Sequence, residues 1–336
     1  MPTKVIILTG SEPPDACGVG DYTATLVSAL QAAGYPAEML CHRQWDTNGT
    51  VRLLRLLSYD QGALLHIQYP TVGYGHSLGP QICSLAKQSI VTLHEFSLAH
   101  ILRKLSLFPF TLRSPRLVMT SEFESRMLIQ RMPWAAPKIK LIPIGSNIPS
   151  PQPAPITRIP RILYHGLIMP RKGLEAFLAL AERAREHRID WEFVVIGKIP
   201  PAHAVYARSL IQASSAGSVR WILGSTDQEV AALFSQGGIA YLPFIDGASE
   251  RRGSLKAVLA AGLPTITTNS KQTPQNLKNV VLFARDSETA FACALQLMDS
   301  MPERQRLAKE ALEYSQLFHW QKIAEAHIQM YEELSG

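Results

Sequence analysis

Two arginines ahead of a glycine-serine-leucine run are the strongest candidates for binding chemistry in this sequence. Arg251 and Arg252 precede Gly253, Ser254 and Leu255, where a helical pattern begins. The first N–H groups of a helix have no intrahelical partner, and the helix dipole makes that end positive. Guanidinium groups beside such an end bind pairs of phosphate oxygens. The pattern predicts a diphosphate site; the alternative is a solvated charged run that caps a helix.

A lysine loop lies earlier in the same half of the chain. Lys172 precedes Gly173 in the loop that follows a predicted strand at residues 161–165. Its ammonium is a compact point charge suited to a phosphate oxygen. Lys172 is therefore predicted to neutralise the same diphosphate, and the alternative is an ordinary surface lysine.

Two glycines between the first predicted strand and the first predicted helix suggest another phosphate contact. Gly18, Val19 and Gly20 occupy this turn, and glycine lets backbone N–H groups approach a phosphate at a helix start. The dinucleotide fingerprint needs a third glycine where Thr23 stands. Glu38, in the second predicted strand, keeps NAD binding open as an alternative. A merely tight turn is another alternative.

A histidine at a strand end is the best-placed candidate for catalysis. His94 directly follows a predicted strand at residues 89–93. Open α/β sheets bind their ligands at the carboxyl ends of strands. The alternative is a structural histidine. His66 lies within its strand and is expected to be packed.

Strand-like and helix-like runs alternate along the whole sequence, which is typical of parallel sheets with helices on both faces. Strands are predicted at residues 4–9, 37–41, 63–68, 89–93, 116–121, 138–142, 161–165, 191–196, 218–223, 238–242, 264–267 and 280–283. Helices are predicted at 21–33, after a loop at 10–20, and at 173–186, 228–236, 253–261, 288–297 and 320–334. Five prolines within residues 149–160 predict an interdomain linker.

The bulk composition fits a globular protein of about two domains. The chain has 336 residues, of which 46% are hydrophobic and 18% charged. Its four cysteines form no CxxC pair, so we expect a reducing, cytoplasmic compartment and no zinc site. No apolar run approaches the ~20 residues that cross a bilayer, and no signal peptide is expected before the first strand.

Positive charge is concentrated in one stretch. Residues 86–140 contain nine lysines and arginines but three acids, which accounts for the whole net charge of +6. An anionic partner is therefore expected. Nucleic acid is not, because no nucleic-acid-binding motif is present and aromatic residues do not alternate with the basic ones. Residues 103–113 mix basic and large apolar side chains, which favours contact with an anionic membrane surface; an ordinary buried helix with solvated ends is the alternative.

Taken in order, these segments resemble family 4 of the glycosyltransferases, which have the GT-B fold. The resemblance covers nearly the whole chain and is carried by residues 12–23, 66–70, 93–96, 143–147, 166–173, 260–264 and 318–320. It implies an α/β protein with two doubly wound, parallel-sheet, Rossmann-like domains facing a cleft. The domains are expected at residues 1–148 and 161–317, with the linker at 149–160 and a last helix at 318–336 that crosses back to the first domain.

The resemblance also implies an activity. A retaining, metal-independent hexosyltransferase-like enzyme, without a cofactor, would move a sugar from a nucleotide-diphosphate donor to an acceptor hydroxyl in glycolipid, polysaccharide or glycan synthesis. The acceptor would be a glycan or a lipid-linked molecule. Catalytic roles are expected for His94, Lys172 and Arg252. Donor binding is expected for the other residues of these motifs, which are Gly18, Val19, Gly20, Arg251, Gly253, Ser254, Leu255 and Lys256.

The chain departs from the family pattern at two places. Ala248 and Lys256 stand where most members have the two glutamates of an E-x7-E motif, and Leu167 stands where members often have arginine after the glycine of the lysine loop. Residues 249–255 look like the Ser-x-Arg-Arg-Gly-Ser-Leu loop of a branch with similar losses. Lysine has only donors, so Lys256 is predicted to bind a phosphate or ribose oxygen. The alternative is a solvent-facing lysine.

Two other classes of function stay open at this point. The missing glutamates allow a non-catalytic nucleotide- or sugar-binding protein on a GT-B fold, which binding measurements with nucleotide sugars address. A sugar-nucleotide epimerase can share the fold, and product analysis without an acceptor reveals it.

Overall fold

The structure is a computed structural model that describes residues 4–15, 17–60, 62–97, 99–146, 159–214 and 218–335. The chain divides into two compact units, Met1–Gly145 together with Phe318–Gly336, and Ser146–Leu317. Most of the predicted proline linker falls within residues 147–158, which lie outside the described residues.

The first unit is built on six parallel strands. They are β1 (Val5–Thr9), β2 (Ala37–Cys41), β3 (Leu64–Tyr69), β4 (Ser89–Leu93), β5 (Leu117–Met119) and β6 (Ile139–Leu141), in the order β2-β1-β3-β4-β5-β6. The helices between them are α1 (Gly18–Ala32), α2 (Thr47–Tyr59), α3 (Gly79–Ala86), α4 (Ile101–Leu105), α5 (Phe108–Arg113) and α6 (Glu122–Arg131). β1 and β4 are buried at every position, as expected of central parallel strands covered on both faces.

The second unit repeats this arrangement. Its strands are β7 (Arg161–Leu167), β8 (Glu192–Lys198), β9 (Val219–Leu223), β10 (Ile239–Leu242), β11 (Thr265–Thr267) and β12 (Leu282–Phe283), in the order β12-β11-β10-β7-β8-β9, and all are parallel. Its helices are α7 (Leu174–Glu186), α8 (Ala204–Ala213), α9 (Asp227–Phe234), α10 (Gly253–Ala260), α11 (Ser287–Asp299) and α12 (Met301–Ser315). The predicted doubly wound α/β fold is confirmed, and every predicted strand is present with ends that differ by at most two residues.

The C-terminal helix, α13 (Trp320–Ser335), belongs to the first unit. Ile323, Ala324 and Tyr331 are buried in the same apolar cluster as Ile7 of β1 and Leu26 of α1. The chain therefore leaves the second unit and completes the core of the first with its last helix.

The start of α1 corrects one prediction. The helix begins at Gly18, so Gly18, Val19 and Gly20 form its first turn rather than a loop before Asp21. A Cβ atom on Gly20 would lie 2.8 Å from the carbonyl oxygen of Ser11. Glycine is needed at this position because the helix start packs directly on the backbone that follows β1.

The basic, apolar segment at residues 103–113 forms parts of two short helices, α4 and α5. Leu105, Phe108 and Leu112 are exposed, whereas Leu107 and Phe110 are buried. The alternative of one ordinary buried helix is therefore wrong. Among the described residues, no helix has the length and apolar character that spanning a bilayer requires.

Candidate functional site

A cavity of about 330 Å³ opens at the carboxyl ends of β7 and β8 in the second unit. Parallel α/β sheets bind ligands at this edge. The lining residues come from the second half of β7, the loop before α7, the end of β8, the start of α9, the segment after β10 and the start of α10. They are Tyr164, His165, Gly166, Leu167, Lys172, Gly197, Lys198, Ser225, Asp227, Val230, Phe244, Arg251, Arg252, Gly253 and Ser254.

Glycine shapes the loop that carries Lys172. Gly173 has φ +81°, and a Cβ atom there would lie 1.8 Å from the carbonyl oxygen of Pro243. No other residue type fits this left-handed, closely packed position. The preceding carbonyl, that of Lys172, accepts a hydrogen bond of 3.2 Å from the hydroxyl of Tyr164. The backbone of Lys172 is thus fixed on both sides, and its side chain lines the cavity.

Two cations are crowded together in this cavity. Burial lowers the pKa of Lys172, and the nearby Arg252 lowers it further. Burial also lowers the pKa of Arg252. Both shifts mean that the free protein holds positive charge where it is poorly solvated. A bound anion removes this penalty, so the arrangement favours an anionic ligand.

Arg252 is held in place by two neighbours. Its guanidinium forms an ion pair with Asp246 and lies 4.8 Å above the ring of Phe244. Arg251 donates a hydrogen bond of 3.2 Å to the side-chain oxygen of Gln272. These contacts fix the two guanidinium groups beside the cavity before a ligand arrives, which lowers the entropy cost of binding.

The start of α10 supplies backbone donors. Arg252 is the N-cap residue, and its side chain makes no capping hydrogen bond to this helix. Gly253 and Ser254 line the cavity. The first N–H groups of α10 and the positive end of its dipole therefore add to the two cations, as the sequence predicts.

Leu255 and Lys256 follow on the same helix but do not line the cavity. Their exposed fractions are 3% and 2%. Burial lowers the pKa of Lys256 to about 7, against an opposing effect of Glu250. The alternative of a solvent-facing lysine is wrong, because α10 is buried from Leu255 to its end. A direct contact of Lys256 with phosphate or ribose stays a prediction.

Three further residues that line the cavity, Lys198, Asp227 and His165, were not singled out from the sequence. Lys198 and Asp227 form an ion pair of 3.6 Å, and burial lowers the pKa of His165 to about 4. The only feature of the sequence that marks these residues as candidates is their position at the ends of predicted strands and helices.

His94, Gly18, Val19 and Gly20 lie in the first unit and form a second group. His94 follows β4 directly and is 7% exposed, and its ring meets the ring of Tyr22 of α1 edge-on at 4.9 Å. Burial lowers the pKa of His94 to about 3, with a smaller contribution from His327. His94 is therefore neutral at physiological pH. His66, predicted to be packed, is fully buried.

The sequence did not reveal the residues that hold His94. Its Nε2 atom lies 2.9 Å from Oε1 of Gln68 at the end of β3. Glu124, fully buried on α6, accepts hydrogen bonds of 2.7 Å from the backbone N–H groups of Phe96 and Ser97 and from the hydroxyl of Ser97. The loop after His94 is thus anchored on a buried carboxylate. The sequence signal was that Gln68 and His66 are polar residues in a strand whose other residues are apolar or aromatic.

The described residues contain no group of three or more histidine, cysteine, aspartate or glutamate side chains that could hold a metal ion.

Comparisons with known proteins agree with this architecture. Residues 159–299 match the family model of the Glycosyl transferases group 1. No curated protein sequence matches the chain. A glycosyltransferase structure from Rickettsia africae is similar at a TM-score of 0.77 and 13% identity, with 98% of each chain covered.

Two further structures have the same fold. Sucrose-phosphate synthase from Thermosynechococcus elongatus matches at a TM-score of 0.72 and 18% identity, covering 98% of this chain and 99% of that one. HepE from Anabaena, in complex with UDP-glucose, matches at 0.70 and 12% identity, with 99% of both chains covered. The chain therefore has the GT-B fold, and the matched second unit supports a glycosyltransferase.

Proposed function

We propose that this protein is a retaining glycosyltransferase that moves a sugar from a nucleotide-diphosphate donor to an acceptor hydroxyl. The observation that carries the proposal is the cavity of the second unit, where Lys172, Arg252 and the uncapped start of α10 meet. Cations with lowered pKa values beside free helix N–H groups are suited to a diphosphate. The GT-B neighbours support a sugar nucleotide as the compound that contains this diphosphate.

The same groups suit the chemical step. When the bond between the sugar carbon and the diphosphate oxygen breaks, negative charge grows on the diphosphate. Lys172, Arg252 and the N–H groups of Gly253 and Ser254 stabilise this charge. Preorganised groups of this kind make the largest contributions to lowering a reaction barrier. The acceptor oxygen bonds to the sugar carbon on the face that the diphosphate leaves, and its proton passes to a phosphate oxygen. His94, which is neutral, positions the donor sugar.

Binding and transfer are tested separately. Thermal-shift measurements against UDP-, GDP-, ADP- and TDP-sugars should identify the nucleotide, because a bound ligand raises the unfolding temperature. Product analysis with the stabilising donor then detects transfer and its stereochemistry. Binding without transfer to any glycan or lipid-linked acceptor supports the alternative, a non-catalytic nucleotide- or sugar-binding protein.

We also propose that the first unit rests on an anionic, cytoplasmic membrane surface that presents a lipid-linked acceptor. Of the nineteen exposed large apolar side chains among the described residues, fourteen lie in the first unit, including Leu102, Leu105 and Leu112 of α4 and α5. Basic residues surround them. Lys104 and Arg103 are partly engaged within the protein, since they donate to the carbonyls of Ser97 and Gly75, so Arg113 carries more of the attraction.

Vesicle flotation tests the membrane proposal. Salt-sensitive flotation with anionic liposomes is expected, and the double variant Leu102→Asp, Leu105→Asp should abolish it. Val205, exposed on α8 of the second unit, gives the matched control Val205→Asp, which should float like the wild type. Wild-type protein that stays with the soluble fraction at low salt contradicts the proposal.

A further inference from the structure

A chain of hydrogen bonds runs from His94 through the core of the first unit to the C-terminal helix. His94 Nε2 lies 2.9 Å from Gln68 Oε1, and Gln68 Nε2 lies 3.3 Å from His66 Nε2. His66 Nδ1 lies 2.7 Å from the hydroxyl of Tyr331 on α13. Gln68, His66 and Tyr331 are fully buried. The chemistry proposed above uses only the first member of this chain.

The donors and acceptors along the chain follow from its chemistry. Burial lowers the pKa of both His66 and His94, so each ring carries one proton. An amide oxygen accepts and an amide nitrogen donates. Gln68 Oε1 therefore accepts the Nε2 proton of His94, while Gln68 Nε2 donates to the Nε2 lone pair of His66. His66 then carries its proton on Nδ1 and donates it to Tyr331.

Thr92 is compatible with this arrangement. Its hydroxyl oxygen lies 2.7 Å from His66 Nε2, and a hydroxyl can donate to the same lone pair as Gln68. In this state two donors meet an unprotonated nitrogen, and the proton of His66 lies on the side of α13.

The opposite arrangement is also self-consistent, because a hydroxyl can donate as well as accept. If Tyr331 donated to His66 Nδ1, His66 would carry its proton on Nε2, the amide of Gln68 would turn over, and His94 would be protonated on Nδ1. The hydrogen-bond network has two discrete states, and the amide orientation with Gln68 Oε1 toward His94 corresponds to the first.

We propose that Tyr331 of α13 sets the tautomer of His94 through His66 and Gln68, so that His94 offers Nδ1 as a hydrogen-bond acceptor to the substrate. The substrate part of this inference rests on the proposed function. A neutral ring nitrogen that accepts binds a sugar hydroxyl and repels a phosphate oxygen. His94 therefore recognises the sugar, and Gln68, His66 and Tyr331 are positioning residues.

A second contact ties the same helix to the ring of His94. Trp320, the first residue of α13, packs on Tyr22 at 5.4 Å, and Tyr22 meets His94 at 4.9 Å. The aromatic contacts hold the ring in place, and the hydrogen bonds fix its proton. Both depend on α13.

The tautomer of His94 is read directly by nitrogen-15 NMR of histidine-labelled protein, with the resonance assigned by its loss in His94→Asn. This measurement needs no substrate. We expect the proton on Nε2 in the wild type and a shift toward Nδ1 in Tyr331→Phe and in Gln68→Met. Gln68→Glu keeps the acceptor oxygen and should keep the proton on Nε2.

Tyr35→Phe is the matched control. The ring of Tyr35 packs on Tyr331 at 5.6 Å, but its hydroxyl has no hydrogen-bond partner among the described residues. It should leave the tautomer unchanged. Kinetics add a second measurement: Tyr331→Phe should lower kcat roughly tenfold, the scale of one hydrogen bond, with nucleotide-diphosphate Kd unchanged, and Tyr35→Phe should alter neither.

A wild-type proton on Nδ1, or an unchanged tautomer in Tyr331→Phe, overturns the proposal. If Tyr331→Phe does not fold, the pair Gln68→Met and Gln68→Glu decides, because equal tautomers in these two variants contradict a role for the amide oxygen. If no nucleotide sugar supports transfer, the proposed function fails, while the NMR result still decides whether α13 sets the proton of His94.

Discussion

The two units share a six-stranded parallel sheet but place their candidate chemistry in opposite environments. In the second unit, Lys172 and Arg252 line an open cavity and carry charge that the surroundings do not solvate well. In the first, His94 is neutral and nearly enclosed, and its hydrogen bonds to Gln68 are already formed. The second unit is suited to binding an anion, whereas the first unit holds the side chain of His94 in a fixed, neutral state. We therefore expect binding energy from the second unit and sugar positioning from the first.

The largest expected effect comes from Lys172. Lys172→Ala should lower kcat by roughly 100-fold or more, the scale of one preorganised contact to developing charge. Arg171→Ala is the matched control, because Arg171 is an exposed cation in the same loop that does not line the cavity. Turnover near wild type in Lys172→Ala would remove this residue from the mechanism.

His94 sharpens the contrast between the units. His94→Ala should lose transfer by a factor on the order of 100, within the range for a positioned catalytic histidine, yet bind nucleotide diphosphate with wild-type affinity. Calorimetry with the nucleotide diphosphate measures the binding affinity, and a transfer assay measures the rate of sugar transfer. Loss of diphosphate binding in a folded variant would show that the first unit contributes to the anion site.

Lys256 tests how far the anion site extends into α10. Lys256→Ala should weaken nucleotide-diphosphate binding by about 1–2 kcal/mol, the range for a charge-assisted hydrogen bond. Lys256→Glu should not restore it, since Ala248 and the two arginines define a site different from the usual glutamate pair. Lys256→Met preserves the buried volume and controls for packing. An unchanged Kd in Lys256→Ala and Lys256→Met would confine Lys256 to a structural role.

The smallest expected effect is a pH dependence of diphosphate affinity. The pKa of Lys172 lies below 10.5 in the free protein, and a bound anion raises it, so binding is coupled to proton uptake. Affinity should be fully present below the free-protein pKa and decline as the pH rises through it, by at most tenfold per pH unit. Lys172→Arg should move this decline to higher pH. A Kd that stays constant as the pH rises past 10.5 would exclude Lys172 from the anion site.

The sequence by itself predicted the strands of both units and singled out Lys172 and residues 251–254, which line the candidate anion site of the second unit. All twelve strands were readable from local composition, because most are short runs of apolar and β-branched residues. Lys172, Arg252 and Gly253 were identified because glycine turns and helix starts are local features, set by residues within a few positions of one another.

Only the tertiary structure decided what surrounds those elements. The helical pattern placed Lys256 one turn into α10, but its 2% exposure comes from the elements that pack on that helix. His94 and Gln68 are 26 residues apart, and His66 and Tyr331 are 265 apart. A hydrogen bond between such partners depends on strand order and on the return of α13 to the first unit. Local pattern does not encode these because each requires two distant segments to meet before either side chain has a partner.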